Sequence, residues 1–121
     1  MRFLLHGTLT PAVADALRRH QDTPVTVAEA GIDGQDIAQL LEQANQKQLD
    51  LITNDPQLSH AIFEQRLSFS RSIVYLQLAG EDVEQDDAID RLYERYKRLT
   101  PGRLYTVTGS RVKIRQLPGK K

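Results

Sequence analysis

The chain has 121 residues, 40% of them hydrophobic and 26% charged, and its Lys and Arg balance its Asp and Glu to a net charge of zero. This size and composition fit one folded domain and exclude a disordered, fibrous or two-domain chain, and a protein that coats nucleic acid by bulk charge. The absence of cysteine excludes disulfides, thiolate zinc sites and a cysteine nucleophile, and no apolar run nears the ~20 residues of a membrane span. A cytoplasmic protein with no membrane partner is expected.

In chain order, Phe3-Leu4-Leu5 has the pattern of a short buried strand. Thr10 as N-cap and Pro11 at the first helical position then open a helix with Val13, Ala16, Leu17 and His20 at helical spacing, ending near residues 21–23. Val25 to Val27 forms a second strand, and beyond Gly31 to Gly34 a helix carries Ile37, Leu40, Leu41 and Ala44 on one face. Leu49 to Ile52 is the third strand. Asp55-Pro56 opens the next helix as cap and first residue, with Leu58, Ala61, Ile62 and Gln65 on its inner stripe.

Ser72 to Leu76 is a fourth strand, and Ala88, Ile89, Leu92, Tyr93, Tyr96 and Leu99 mark a long helix that Thr100-Pro101-Gly102 stops. Leu104 to Val107 and Arg111 to Arg115 alternate with period two around Gly109-Ser110, which signals a C-terminal β-hairpin. Alternating strands and helices predict a three-layer α/β/α domain over residues 1–117, with a central parallel sheet of at least four strands. Residues 118–121 form a frayed tail.

Charge is unevenly distributed along the chain. Glu81 to Asp90 is an acidic block, whereas the last quarter is strongly basic. Acids at a helix start and bases at its end complement the macrodipole by about 0.3–1 kcal/mol each, which accounts for the helix without any nucleic acid.

In an open parallel sheet, ligands collect beyond the C-terminal ends of the strands, near the point where strand order reverses. Three polar segments fall there: His6-Gly7-Thr8, Asp33 to Asp36, and Thr53-Asn54-Asp55.

Nearly the whole chain resembles small PIN-like proteins related to the toxin-type endoribonucleases of toxin–antitoxin pairs. Members open with a strand, Asp-Glu-Asn-Leu and a helix starting near Pro, where this chain has Leu4-Leu5-His6-Gly7-Thr8-Leu9-Thr10-Pro11. A Gly-rich turn with an acid entering an Ile/Leu-rich helix is matched by Gly31-Ile32-Asp33-Gly34-Gln35-Asp36-Ile37. A strand ending Thr-Asn-Asp, with a second acid soon after, is matched by Ile52-Thr53-Asn54-Asp55-Pro56-Gln57-Leu58, and the basic hairpin fits the family's usual ending.

The resemblance implies a PIN-like fold and, in active members, clustered carboxylates that hold Mg²⁺ or Mn²⁺. It assigns Asp55, Asp36 and His6 to the catalytic centre and Asp55, Asp36 and Asp33 to any metal. Asn54, Arg111, Lys113 and Arg115 are assigned to substrate. The implied partners are single-stranded RNA, an antitoxin-like or other protein, or a second copy of the chain. This sequence departs from the family in three places: His6 replaces the first aspartate, Gly34 stands where an acid is expected, and Gln57 replaces the second acid of the third segment. A metal-dependent ribonuclease fold with weak or lost activity is therefore expected, with a non-catalytic binding module as the alternative.

Simpler roles exist for each residue. Asp55 and Asp33 have the positions of helix caps, and Asp36 that of a dipole partner. His6 fits a partly buried strand end, and His60 a solvent-facing helix position. Arg111, Lys113 and Arg115 share one face of an edge strand, where charge also prevents edge pairing.

Overall fold

A computed structural model of the chain describes residues 1–32, 36–78 and 82–118; Asp33 and Gly34 lie outside the described residues. β1 (Arg2–His6) leads into α1 (Pro11–Arg19), β2 (Thr23–Thr26), α2 (Val27–Ala30) and α3 (Ile37–Gln46). β3 (Asp50–Thr53), α4 (Pro56–Gln65), β4 (Ile73–Leu76), α5 (Asp82–Arg95), β5 (Arg103–Val107) and β6 (Val112–Gln116) follow.

Local chemistry sets the helix starts. The Thr10 hydroxyl accepts Ala12 N at 3.3 Å, Asp36 Oδ1 accepts Ala38 N at 3.1 Å and Asp55 Oδ1 accepts Gln57 N at 2.9 Å. Each contact satisfies one of the orphan donors of a first turn. Pro11 and Pro56 sit at the helix starts, where a missing N–H costs nothing.

Three expectations need correction. Val27 belongs to a helical turn rather than to the second strand, because Thr26 and Glu29 form a reciprocal capping box: Glu29 N donates to Thr26 Oγ1 and Thr26 N to Glu29 Oε1, both at 3.0 Å. Gln65 is exposed, so the inner stripe of α4 rests on Leu58 and Ile62. The last long helix also stops at Arg95, although Tyr96 and Leu99 still pack inward beyond it.

The six strands lie in the order β2-β1-β3-β4-β5-β6, parallel except for β6, which runs antiparallel to β5 from Arg103↔Gln116 to Val107↔Val112. Alternation along the strands sends side chains to opposite faces. Leu4, Leu51, Ile73, Tyr75 and Leu104 meet Leu40, Leu41 and Ala44 of α3 and Leu58 and Ile62 of α4. On the other face Phe3, Ile52, Val74, Leu76, Tyr105 and Val107 meet Val13, Ala16 and Leu17 of α1 and Ala88, Ile89 and Leu92 of α5. The protein is thus a mixed α/β structure with helices on both sides of a mostly parallel sheet. No described helix is long and apolar enough to cross a membrane.

One crossover differs in hand from the others. From β1 to β2 the chain moves one way across the sheet with α1 on one face; β2 to β3 and β3 to β4 move the other way with α3 and α4 on the opposite face. Those three connections share one hand. The step from β4 to β5 continues in the second direction, yet α5 packs beside α1, so its hand is reversed. Burial accounts for this placement. Val74, Leu76, Tyr105 and Val107 point to the α1 face, and the apolar stripe of α5 completes their cover at roughly 1.5–3 kcal/mol per large side chain buried.

Candidate functional site

Strand order reverses around β1, whose neighbours are β2 on one side and β3 on the other. The residues leaving β1 and β3 therefore meet at the switch point, and His6 pairs in register with Thr53. The two loops are tied together: Thr8 N donates to Asn54 Oδ1 at 2.9 Å, and Asn54 Nδ2 donates to Thr8 Oγ1 at 3.0 Å. Gly7, at φ +93°, allows this closeness, since a Cβ there would stand 2.5 Å from Asn54 Oδ1.

Beneath that clasp, Thr53 is fully buried and its hydroxyl joins two of the candidate residues. It accepts Asp55 N at 3.0 Å and lies 2.9 Å from His6 Nδ1. With Thr53 Oγ1 donating, Nδ1 is the acceptor and the neutral ring carries its proton on Nε2. Burial holds the His6 imidazole below its ordinary pKa, and the nearby Asp55 charge partly offsets this. Tyr75, on β4, shares the environment: burial, then the charge of Asp55, pushes its phenol up. His6, Asp55 and Tyr75 thus form an electrostatically coupled group at the ends of β1, β3 and β4.

The other sequence candidates hold local contacts or lie exposed. Asp36 caps α3 and is not among the influences that shift His6, which are burial and Asp55. Asn54 is engaged in the loop clasp. Lys113 and Arg115 lie exposed on β6 and Arg111 just before it. Arg115 Cζ sits 3.6 Å over the centre of the Phe63 ring on α4. Tyr75 and Phe63 were missed by sequence reasoning because a strand tyrosine and a helix phenylalanine look like core.

A Mg²⁺ or Mn²⁺ ion asks for several oxygen donors in near-octahedral array. Here one Asp55 oxygen holds Gln57 N, one Asp36 oxygen holds Ala38 N, and the first-strand position supplies an imidazole bound to Thr53. Among the described residues, no three His, Asp or Glu side chains are grouped as metal ligands. Asp33, the third acid that the resemblance assigns to a metal, lies outside the described residues.

A cavity of about 770 Å³ lies at the opposite edge of the sheet, beside Met1, His20, Asp22, Asp90, Tyr93 and Lys97. Its polar groups largely serve one another. The Tyr93 hydroxyl donates to Asp22, His20 Nε2 lies 2.7 Å from Asp90 Oδ1, and the His20 and Tyr93 rings stack with centroids 4.6 Å apart. The cavity lies along the seam between α1 and α5.

No protein-family model, curated protein or solved structure matches the chain.

Proposed function

We propose that the chain is a PIN-like protein of the metal-dependent ribonuclease fold that holds single-stranded RNA at its strand-end centre and cleaves it weakly or not at all. The observation that carries this reading is the coupling of His6 with Asp55 at the β1/β3 switch point. One acid there is kept, while an imidazole and Gln57 occupy positions that would otherwise supply carboxylates. Basic residues Arg111, Lys113 and Arg115 offer the positive charge a phosphate backbone needs. The low pKa of His6 keeps its imidazole neutral near pH 7, so it adds no cation to counter the charge of a phosphorane-like transition state.

Restoration of the acids tests this reading. His6→Asp combined with Gln57→Asp should raise Mn²⁺ affinity and bring Mg²⁺-dependent cleavage of single-stranded RNA above the wild-type level, and adding Asp55→Asn should abolish both gains. A restored variant that neither binds Mn²⁺ more tightly nor cleaves would sink the nuclease-fold reading.

A further inference from the structure

The reversed β4–α5–β5 crossover has a consequence on the opposite face. With α5 beside α1, no described helix lies over β5 and β6 on the α4 side, where Thr106 is half-buried and Lys113 and Arg115 are exposed. Across from this open face α4 presents Pro56, Ser59, His60 and Phe63, at the spacing of one helical stripe. These residues, with Tyr75 and Arg115, line a cavity of about 410 Å³. A second cavity of about 350 Å³ shares Phe63 and Arg115 and extends the groove to Arg66, Gln116 and Pro118. The groove therefore begins beside Asp55 and runs the length of α4, ~15 Å at 1.5 Å per residue.

Its chemistry is that of a nucleic-acid track. The Arg115 guanidinium is held over the Phe63 ring, and a guanidinium stacks on bases and binds phosphate. Strand alternation puts Lys113 on the same face as Arg115, Arg111 lies exposed just before the strand, and Arg66 stands at the far end. Against these cations the wall carries the carboxylate of Glu64, 3.0 Å from His60 Nε2. Aromatic and guanidinium planes interleaved with backbone-tracking cations suit splayed single strands, whose bases are free to stack.

We infer that the groove between α4 and the β5–β6 face is the path of a single-stranded RNA, with a base on the Phe63–Arg115 stack and the backbone led along Lys113 and Arg111 to Asp55. The choice of RNA rests on the reading proposed above; the path rests on the groove.

Fluorescence anisotropy with a labelled oligouridine of about ten nucleotides, within the span of known single-strand sites, tests it on the full chain. Wild-type protein should bind the single strand in preference to a duplex of equal length. Arg115→Ala and Phe63→Leu should each weaken binding about tenfold, as loss of one base stack does. Lys113→Ala should lower the salt slope by about 0.7, the mark of one lost phosphate contact. Arg18→Ala, a cation removed from the exposed side of α1, should change nothing, and circular dichroism confirms that each variant is folded. Wild-type binding that is indifferent to Arg115, Phe63 and Lys113 overturns the path while leaving the RNA reading intact. Equal affinity for duplex also overturns it, and no binding by wild-type protein overturns both.

Discussion

The Asn54 side chain grips Thr8 from both ends, accepting its backbone N–H at 2.9 Å and donating to its hydroxyl at 3.0 Å, although the two residues lie 46 positions apart. This clasp fixes the β1 and β3 exit loops against each other and leaves no room for a side chain at position 7. Gly7→Ala should destabilise the protein by about 1–3 kcal/mol, because the methyl meets Asn54 Oδ1 and an L-residue is forced to φ +93°. Asn54→Ala removes two hydrogen bonds and should cost roughly 1–2 kcal/mol. Urea denaturation measures both, and a neutral Gly7→Ala would show that the clasp is not formed.

Asp55 serves both the α4 cap and the electrostatics of the centre, and two substitutions separate those roles. Asp55→Asn keeps a capping oxygen and should change stability by only a few tenths of a kcal/mol, whereas Asp55→Ala should cost about 0.5–2 kcal/mol. Both remove the charge that raises the His6 pKa, so the His6 imidazole should titrate lower still in either variant. An NMR titration of the His6 ring that is unmoved by Asp55→Asn would contradict the coupling.

His6 also sets a sign for the pH dependence of stability. Its folded pKa lies below the unfolded value of about 6.5, so the unfolded chain takes up a proton that the folded one refuses. Its contribution is therefore unchanged above that value and turns against folding as pH falls from about 6.5 towards the folded pKa. His6→Gln should flatten the loss of stability between about pH 7.5 and 5.5, measured by denaturation at each pH. A wild-type protein that gains stability over the same interval through His6 would reverse the assignment.

Asp50 is 2% exposed and its Oδ1 accepts Arg71 Nε at 2.7 Å, while its Oδ2 is buried without a hydrogen bond among the described residues. Arg71→Ala leaves that carboxylate uncompensated and should cost about 3 kcal/mol, at the lower end for breaking a buried pair because Arg71 reaches solvent. Asp50→Asn with Arg71→Met should recover part of the loss. Thermal denaturation of the three proteins is the check, and an Arg71→Ala protein as stable as wild type would refute it.

Residues that act on their own neighbours were legible in the sequence. Thr10-Pro11 and Asp55-Pro56 announced two helices through local capping chemistry, and short apolar runs with one period-two hairpin located the sheet. The Thr26 to Glu29 capping box was equally local but was masked by two valines that favour strand. What could not be read were relations between distant segments. The Asn54–Thr8 clasp, the effect of Asp55 on Tyr75 and the Arg115–Phe63 stack each depend on strand order and on the hand of a crossover, neither of which leaves a periodic trace. Asp36, which the family resemblance assigns to the site, has one oxygen in a helix cap of the kind its position before Ile37 also predicts.

The central proposal is that the strand-end centre keeps a nuclease scaffold with too few carboxylates for efficient metal-assisted hydrolysis. A time course of end-labelled single-stranded RNA with Mg²⁺, comparing wild-type protein with Asp55→Asn, tests it most directly. The account predicts that the wild type cleaves little or no faster than Asp55→Asn. Rapid Mg²⁺-dependent cleavage that Asp55→Asn eliminates would contradict it and establish a working nuclease.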